Sequence, residues 1–155
     1  MLDCKCAIDM EQLEIFEVKE ACGSFIEPMN RLLAQLSSSG RCLTHGQLQA
    51  LVESPASHLF LARYDGAVVA MLTLGEYLAP TGRKMWIEDV VVDAAVRGRA
   101  FGRAMVEFAK EYARELGVGT LMLTSRPSRV AANALYRSCG FEQRETNVYK
   151  MDIDG

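Results

Sequence analysis

Val90-Val91-Val92-Asp93-Ala94-Ala95-Val96-Arg97-Gly98-Arg99-Ala100-Phe101-Gly102-Arg103 is the stretch around which the rest of the chain organises itself. It begins as a β-branched run, passes through a basic turn with two glycines, and enters an amphipathic segment. The first amides of a helix lack intrahelical acceptors and carry partial positive charge. Gly98, Gly102 and the small Ala100 let a ligand come close to the backbone. Arg97, Arg99 and Arg103 add formal charge. Together these features predict a pyrophosphate site on the turn from Arg97 to Arg103. A P-loop would need a Gly-Lys-Ser/Thr ending, which this turn lacks. The dinucleotide fingerprint Gly-x-Gly-x-x-Gly does not fit the spacing of Gly98 and Gly102. A turn whose arginines are merely solvated is the plainer alternative.

Upstream, Leu13 to Val18 alternates apolar with polar residues and predicts a half-buried strand. From Ser24 to Gln35 the pattern becomes helical, with Phe25, Met29, Leu32, Leu33 and Leu36 on one face. Ser24 with Glu27, and Thr44 with Gln47, have the spacing of capping boxes. The second opens a short helix ending near Ser54-Pro55. His58 to Tyr64 and Ala67 to Leu74 are apolar runs joined by Asp65-Gly66, a hairpin signal. Met85 to Asp93 follows the turn Pro80-Thr81-Gly82 and completes an expected antiparallel meander. Downstream, Phe101 to Leu116 reads as a long amphipathic helix stopped by Gly117. Thr120 to Thr124 reads as a short buried strand, and Val130 to Cys139 as a helix closed by Gly140. Phe141 to Glu145 and Val148 to Ile153 read as a last hairpin. The predicted class is an α/β (α+β) fold on a mixed sheet, in the order β-α-α-β-β-β-α-β-α-β-β. Its strand–helix–strand unit implies one parallel pair.

Two motifs carry a family resemblance. Arg97-Gly98-Arg99-Ala100-Phe101-Gly102 after a Val-rich strand resembles the Arg-Gly-x-Gly-x-Gly signature of the GNAT family of N-acetyltransferases, with Ala100 in place of the inner glycine. Ala132-Asn133-Ala134-Leu135-Tyr136-Arg137-Ser138-Cys139-Gly140-Phe141 is similar to the family's Ala-x-x-Leu/Phe-Tyr-x-x-x-Gly-Phe helix. The motifs stand in the family's order, and the resemblance runs from about Leu13 to Ile153. It implies the GNAT acyl-CoA N-acyltransferase fold and direct transfer of the acetyl group of acetyl-CoA to a primary amine of a small molecule or peptide. It also implies that the cofactor's pyrophosphate lies on the amides from Gly98 to Arg103. The pantetheine arm would pair along Val90, Val91 and Val92, with a backbone amide near Val91 holding the thioester oxygen. Tyr136 matches the family's frequent general acid. Glu88 lies on the strand where members often place a general base, although Asp89 or a water remains an alternative. Strand alternation is expected to send Glu88 and Asp89 to opposite faces. The cofactor-contacting asparagine of many members falls at Arg129 here, seven residues before Tyr136. Asn133 and Arg129 are therefore alternative CoA contacts.

The whole chain, 155 residues with half of them hydrophobic, suits a single acetyltransferase domain with one core. Residues 1–12 fall outside the resemblance and are expected to form a poorly ordered extension. A net charge of −3 argues against a nucleic-acid partner. No apolar run is long enough for a membrane span, and the N-terminus is too polar for a secretory signal. Five irregularly spaced cysteines argue against a disulfide framework and for a reducing cytoplasm. No metal is expected, because Cys4-x-Cys6 has no second pair at ligand spacing. The expected partner is an amine-bearing acceptor of unidentified structure. A non-catalytic acyl-CoA-binding or sensing module is the alternative on the same fold. Val148, Met151 and Ile153 would offer an apolar edge to a homodimer, or else pack within a monomer.

Overall fold

The computed structural model describes residues 12–153. The chain divides into two compact units, split between Thr124 and Ser125. The first holds a five-stranded sheet in the order β1-β2-β3-β4-β5. Its strands are β1 (Glu14–Glu17), β2 (Ser57–Tyr64), β3 (Ala67–Ala79), β4 (Gly82–Val92) and β5 (Leu121–Met122). Helices α1 (Ile26–Leu36) and α2 (His45–Glu53) separate β1 from β2, and α3 (Phe101–Glu115) separates β4 from β5. The second unit carries α4 (Val130–Ser138). The order matches the expected one through α4.

The meander forms where the turn residues require it. Asp65 and Gly66 both adopt positive φ, 49° and 76°, and close a two-residue loop between Tyr64 and Ala67. That is the twist-matched hairpin geometry. β1 to β4 pair antiparallel, and β4 pairs β5 in parallel through Met85–Leu121 and Trp86–Met122. β5 is only half-buried rather than fully buried as expected.

Each face of the sheet is covered by helix. Leu59, Leu61, Met71 and Val91 pack with Met29 and Leu32 of α1 and Leu48 of α2. On the other face Phe60 meets Phe108 and Tyr112 of α3 edge-on, at ring centroid distances of 5.2 and 4.9 Å. Such aromatic pairs add about 0.5–1.5 kcal/mol beyond area burial. The far end of α3 is tied down by a polar cluster. The Tyr112 hydroxyl donates to Glu17 Oε2 (3.2 Å) and lies 3.0 Å from His58 Nδ1. Burial, with the Glu17 charge beside it, pushes the Tyr112 phenol up to about 12.

Two local expectations are corrected. Thr44 and Gln47 do form a reciprocal capping box, but Ser24 and Glu27 do not. A 3-10 turn over Gly23–Phe25 makes Phe25 the residue before α1, with no side-chain cap. The Ser24 hydroxyl instead sits 2.9 Å from Cys22 Sγ. The second correction concerns the last hairpin: among the described residues no strand follows α4. Val148, Tyr149, Met151 and Ile153 are exposed there. Alternation predicts a strand only where one face finds a core to lie on, and these side chains find none. The expected N-terminal extension and Cys4-x-Cys6 lie outside the described residues.

Candidate active site

β4 runs into the basic turn through a break in its own pairing. Thr73 faces Glu88 and Met71 faces Val91, so Asp89 and Val90 together stand opposite Leu72. This is a β-bulge, and Asp89 takes φ 52° within it. The bulge overrides simple alternation. Glu88 and Val91 come to the same face, and both Glu88 and Asp89 are exposed. Past the bulge, the Asp93 amide donates to the Val69 carbonyl at 2.7 Å. Two-residue alternation then carries the Val91 amide onto β3 and turns that of Val92 away from it. On that outer side β5 pairs only with Met85 and Trp86. Among the described residues no strand hydrogen-bonds the outer edge of β4 from Ile87 to Val92.

The turn itself is held from behind. Asp93 Oδ1 accepts from the Ala95 amide (3.0 Å) and from Gln35 Nε2 (3.3 Å), and its Oδ2 lies 3.4 Å from Arg31 Nε. Gln35 Oε1 accepts from the Ala94 amide at 2.8 Å. The Ala95 amide foremost, then Gln35 and Arg31, hold the Asp93 carboxyl below its ordinary range, outweighing desolvation. Gly98 has φ 84° and Ala100 has φ 62°. The left-handed residues reverse the chain so that α3 starts at Phe101. Phe101 is buried against Tyr64, with ring centroids 5.0 Å apart, and so gives the turn its backbone only. Arg97 and Arg103 are exposed. Arg99 folds back, its guanidinium 5.3 Å from the Tyr64 ring centre and donating to the Tyr64 hydroxyl at 3.1 Å.

Left-handed backbone costs an L-residue about 1–2 kcal/mol, so Ala100 is strained where glycine would not be. Ala100→Gly relieves that strain at an unfolded-state entropy cost of about 0.4–1 kcal/mol. The expected result is a melting temperature raised by roughly 1–4 °C, read from a thermal melt.

Glu88 has a perturbed carboxyl. Partial desolvation and the neighbouring Asp89 charge raise its pKa. In the second unit Tyr136 is half-buried, edge-on to Phe141 with centroids 6.1 Å apart. Burial raises its phenol pKa, Arg129 pulls it down, and Cys139 adds to the rise. Asn133 donates to the Arg126 carbonyl at 2.9 Å and so braces the loop before α4. Among the described residues no group of three or more metal-capable side chains is present, and no helix is long and apolar enough to cross a membrane.

Sequence reasoning missed the bulge at Asp89 and the clamp of Arg31 and Gln35 on Asp93. Neither has a local signal, since the clamp joins residues 58 and 59 positions apart.

β4 thus presents an open edge that leads through a left-handed turn into the start of α3, and comparison with known proteins identifies the family. The Acetyltransferase (GNAT) family profile matches residues 26–141. Glucosamine 6-phosphate N-acetyltransferase 1 of Oryza sativa subsp. japonica is 32% identical over 127 residues, covering 76% of this chain and 74% of that protein. Aminoglycoside N(6')-acetyltransferase type 1 of Stenotrophomonas maltophilia is 28% identical over 109 residues, covering 65% and 69%. The solved structure of a putative acetyltransferase from Agrobacterium tumefaciens superposes with a TM-score of 0.79 at 27% identity, covering 90% of this chain and 99% of that one. The chain therefore belongs to the GNAT acetyltransferase family. It is an N-acetyltransferase, and acetyl-CoA is the family's co-substrate. These catalytic relatives do not favour the non-catalytic alternative.

Proposed function

We propose that this enzyme transfers the acetyl group of acetyl-CoA directly to a primary amine of a small molecule, in a single domain spanning both units. The family match from residue 26 to 141 supports the single-domain reading. The observation that carries the cofactor placement is the bulged, one-sided edge of β4 running into the turn. In this reading the pyrophosphate lies on the amides of Gly98, Arg99, Ala100, Phe101, Gly102 and Arg103, beside Arg97. The amide-bearing pantetheine arm pairs along Val90 to Val92 as an added strand would. Val92 is the residue whose amide faces that arm. Asn133, engaged with Arg126, keeps a bracing role, and Arg129 supplies local positive charge. Among the described residues Cys22 and Cys42 are exposed and lie in no disulfide, which supports a reducing compartment such as the cytoplasm.

The chemistry needs three proton movements. Glu88 takes a proton from the acceptor's ammonium, directly or through water. The freed lone pair attacks the thioester carbon, the nitrogen passes its second proton to solvent, and the C–S bond breaks as the tetrahedral intermediate collapses. The leaving sulfur takes the Tyr136 proton, and solvent restores both side chains. Release of CoA thiol over a panel of amines tests the reading, which fails if no amine accelerates release above hydrolysis.

The raised pKa of Glu88 sets the pH dependence. A base works only when deprotonated, so kcat should fall with decreasing pH through an inflection above the ordinary carboxylate value of about 4.3. Tyr136 stays protonated up to and beyond pH ~10, so it adds no alkaline loss below that. Glu88→Gln should remove the acidic limb and lower kcat about 10²-fold. A Gln variant that keeps the limb assigns it to another group.

A further inference from the structure

One stretch of sheet has a glycine that the backbone does not require. Gly75 lies inside β3 without positive φ, and a Cβ built on it would meet nothing within 4 Å. Glycine inside a strand costs about 0.5–1 kcal/mol relative to alanine. It often marks a place where a ligand comes close to the backbone. The cross-strand partner of Gly75 is Trp86. Tyr77 is the next residue on the same face of β3, and Thr73 with its partner Glu88 are the previous pair. The opposite face holds Leu72, Leu74 and Ile87 in the core. Trp86 Nε1 donates to the Tyr77 hydroxyl at 3.4 Å, which ties the two rings together. The result is a bare strip of backbone beside a half-buried indole and an exposed phenol, with a carboxylate two residues along β4. At about 3.4 Å of rise per residue, Glu88 stands roughly 7 Å from Trp86 along the strand.

We infer that this patch seats the acceptor, and that its flat strip of backbone flanked by two rings selects a primary ammonium borne on a ring. The inference rests on the acetyl-transfer reading above. A ring lies flat over Gly75 with one edge against Trp86 and Tyr77. Its ammonium reaches Glu88, where the proton is removed. Charge complementarity sets the sign of the occupant. The charge acting on Glu88 is that of Asp89, also negative. The nearby Lys84 ammonium is drawn to Thr81 Oγ1 at the hairpin tip, 2.8 Å away. A straight-chain amine reaches Glu88 without covering the rings.

Trp86 is the one tryptophan of the chain, so its emission reports from this place. Glucosamine serves as the ring amine, butylamine as the straight-chain amine, and an alanine-leading tripeptide as the peptide amine. The expected result is a saturable change in Trp86 emission with glucosamine, at least tenfold tighter than with butylamine or the tripeptide. Gly75→Val fills the strip with a side chain that strands favour. It should raise the glucosamine KM at least tenfold while calorimetric acetyl-CoA affinity stays unchanged. Gly75→Ala, a smaller filler, should give an intermediate rise and covers the case in which Val perturbs the sheet. A Trp86 signal that is silent to glucosamine, or tightest for the peptide, overturns the inference. So does an unchanged glucosamine KM in both Gly75 variants. Because the emission change needs no turnover, absence of thiol release with an intact Trp86 response counts against the transfer reading and not against this seat.

Discussion

Gly102→Glu should abolish measurable acetyl-CoA binding while leaving the free protein somewhat more stable than before. Gly102 is the second residue of α3 and has helical backbone. Glutamate is favoured over glycine in a helix by about 0.5–1 kcal/mol. A carboxylate in the first turn of a helix is also favoured by its dipole. Both effects strengthen the free enzyme. The same carboxylate sits where the proposed pyrophosphate lies. Two like charges about 4 Å apart at a protein surface repel by about 4 kcal/mol. That is close to a thousandfold in affinity. Calorimetry with acetyl-CoA beside a thermal melt separates the two effects. A stable variant that binds acetyl-CoA with wild-type affinity puts the pyrophosphate elsewhere.

Tyr136→Phe is the second large effect, and it should fall on rate rather than on affinity. The phenol matters when negative charge develops on sulfur, so its interaction strengthens in the transition state. Loss of a general acid typically costs ~10²–10⁴-fold in rate. Phenylalanine keeps the ring and its edge-on contact with Phe141, so α4 should persist. Burial raises the phenol's pKa, which keeps the proton in place at neutral pH until the leaving thiolate needs it. Single-turnover acetyl transfer at saturating acetyl-CoA measures the step directly. Wild-type single-turnover rates in the Phe variant would return Tyr136 to a packing role and leave the thiolate to be protonated by water.

The parts of this molecule that were readable in advance are those written within a few residues of one another. Asp65-Gly66 closes its hairpin because two adjacent residues accept positive φ. Thr44 and Gln47 cap α2 because their spacing of three is the geometry of the cap. The passage from β4 through the basic turn into α3 was readable for the same reason, since strand, glycines and helix start are contiguous. What was hidden depends on distant partners. The bulge that brings Glu88 and Val91 to one face exists only in the register with β3. Asn30 and Leu43 exchange two hydrogen bonds, at 3.0 and 2.6 Å, with nothing in either residue's neighbours to announce them. Arg99 reads as a phosphate ligand from its position, yet it spends its guanidinium on Tyr64 across 35 residues. The segment after α4 has the alternation of a hairpin and no strand, because pattern alone does not supply a face to bury.

The order of the sheet also says something about how the chain is made. Strands β1 to β4 are neighbours in space in the order in which they leave the ribosome. The meander and the two helices on its first face can assemble before the basic turn exists. Its second face then waits. Phe60, Leu72, Leu74, Met85 and Ile87 all need α3 to cover them, and residues 101–115 emerge last of that unit's helices. Until they do, the nascent chain carries a bare apolar sheet, the kind of surface on which chaperones act and aggregates start. The helix whose first turn is the proposed anchor of the cofactor is thus also the lid that makes the newborn protein safe. Substitutions along α3 that leave catalysis alone would still be felt in the cell, as lost yield rather than lost activity.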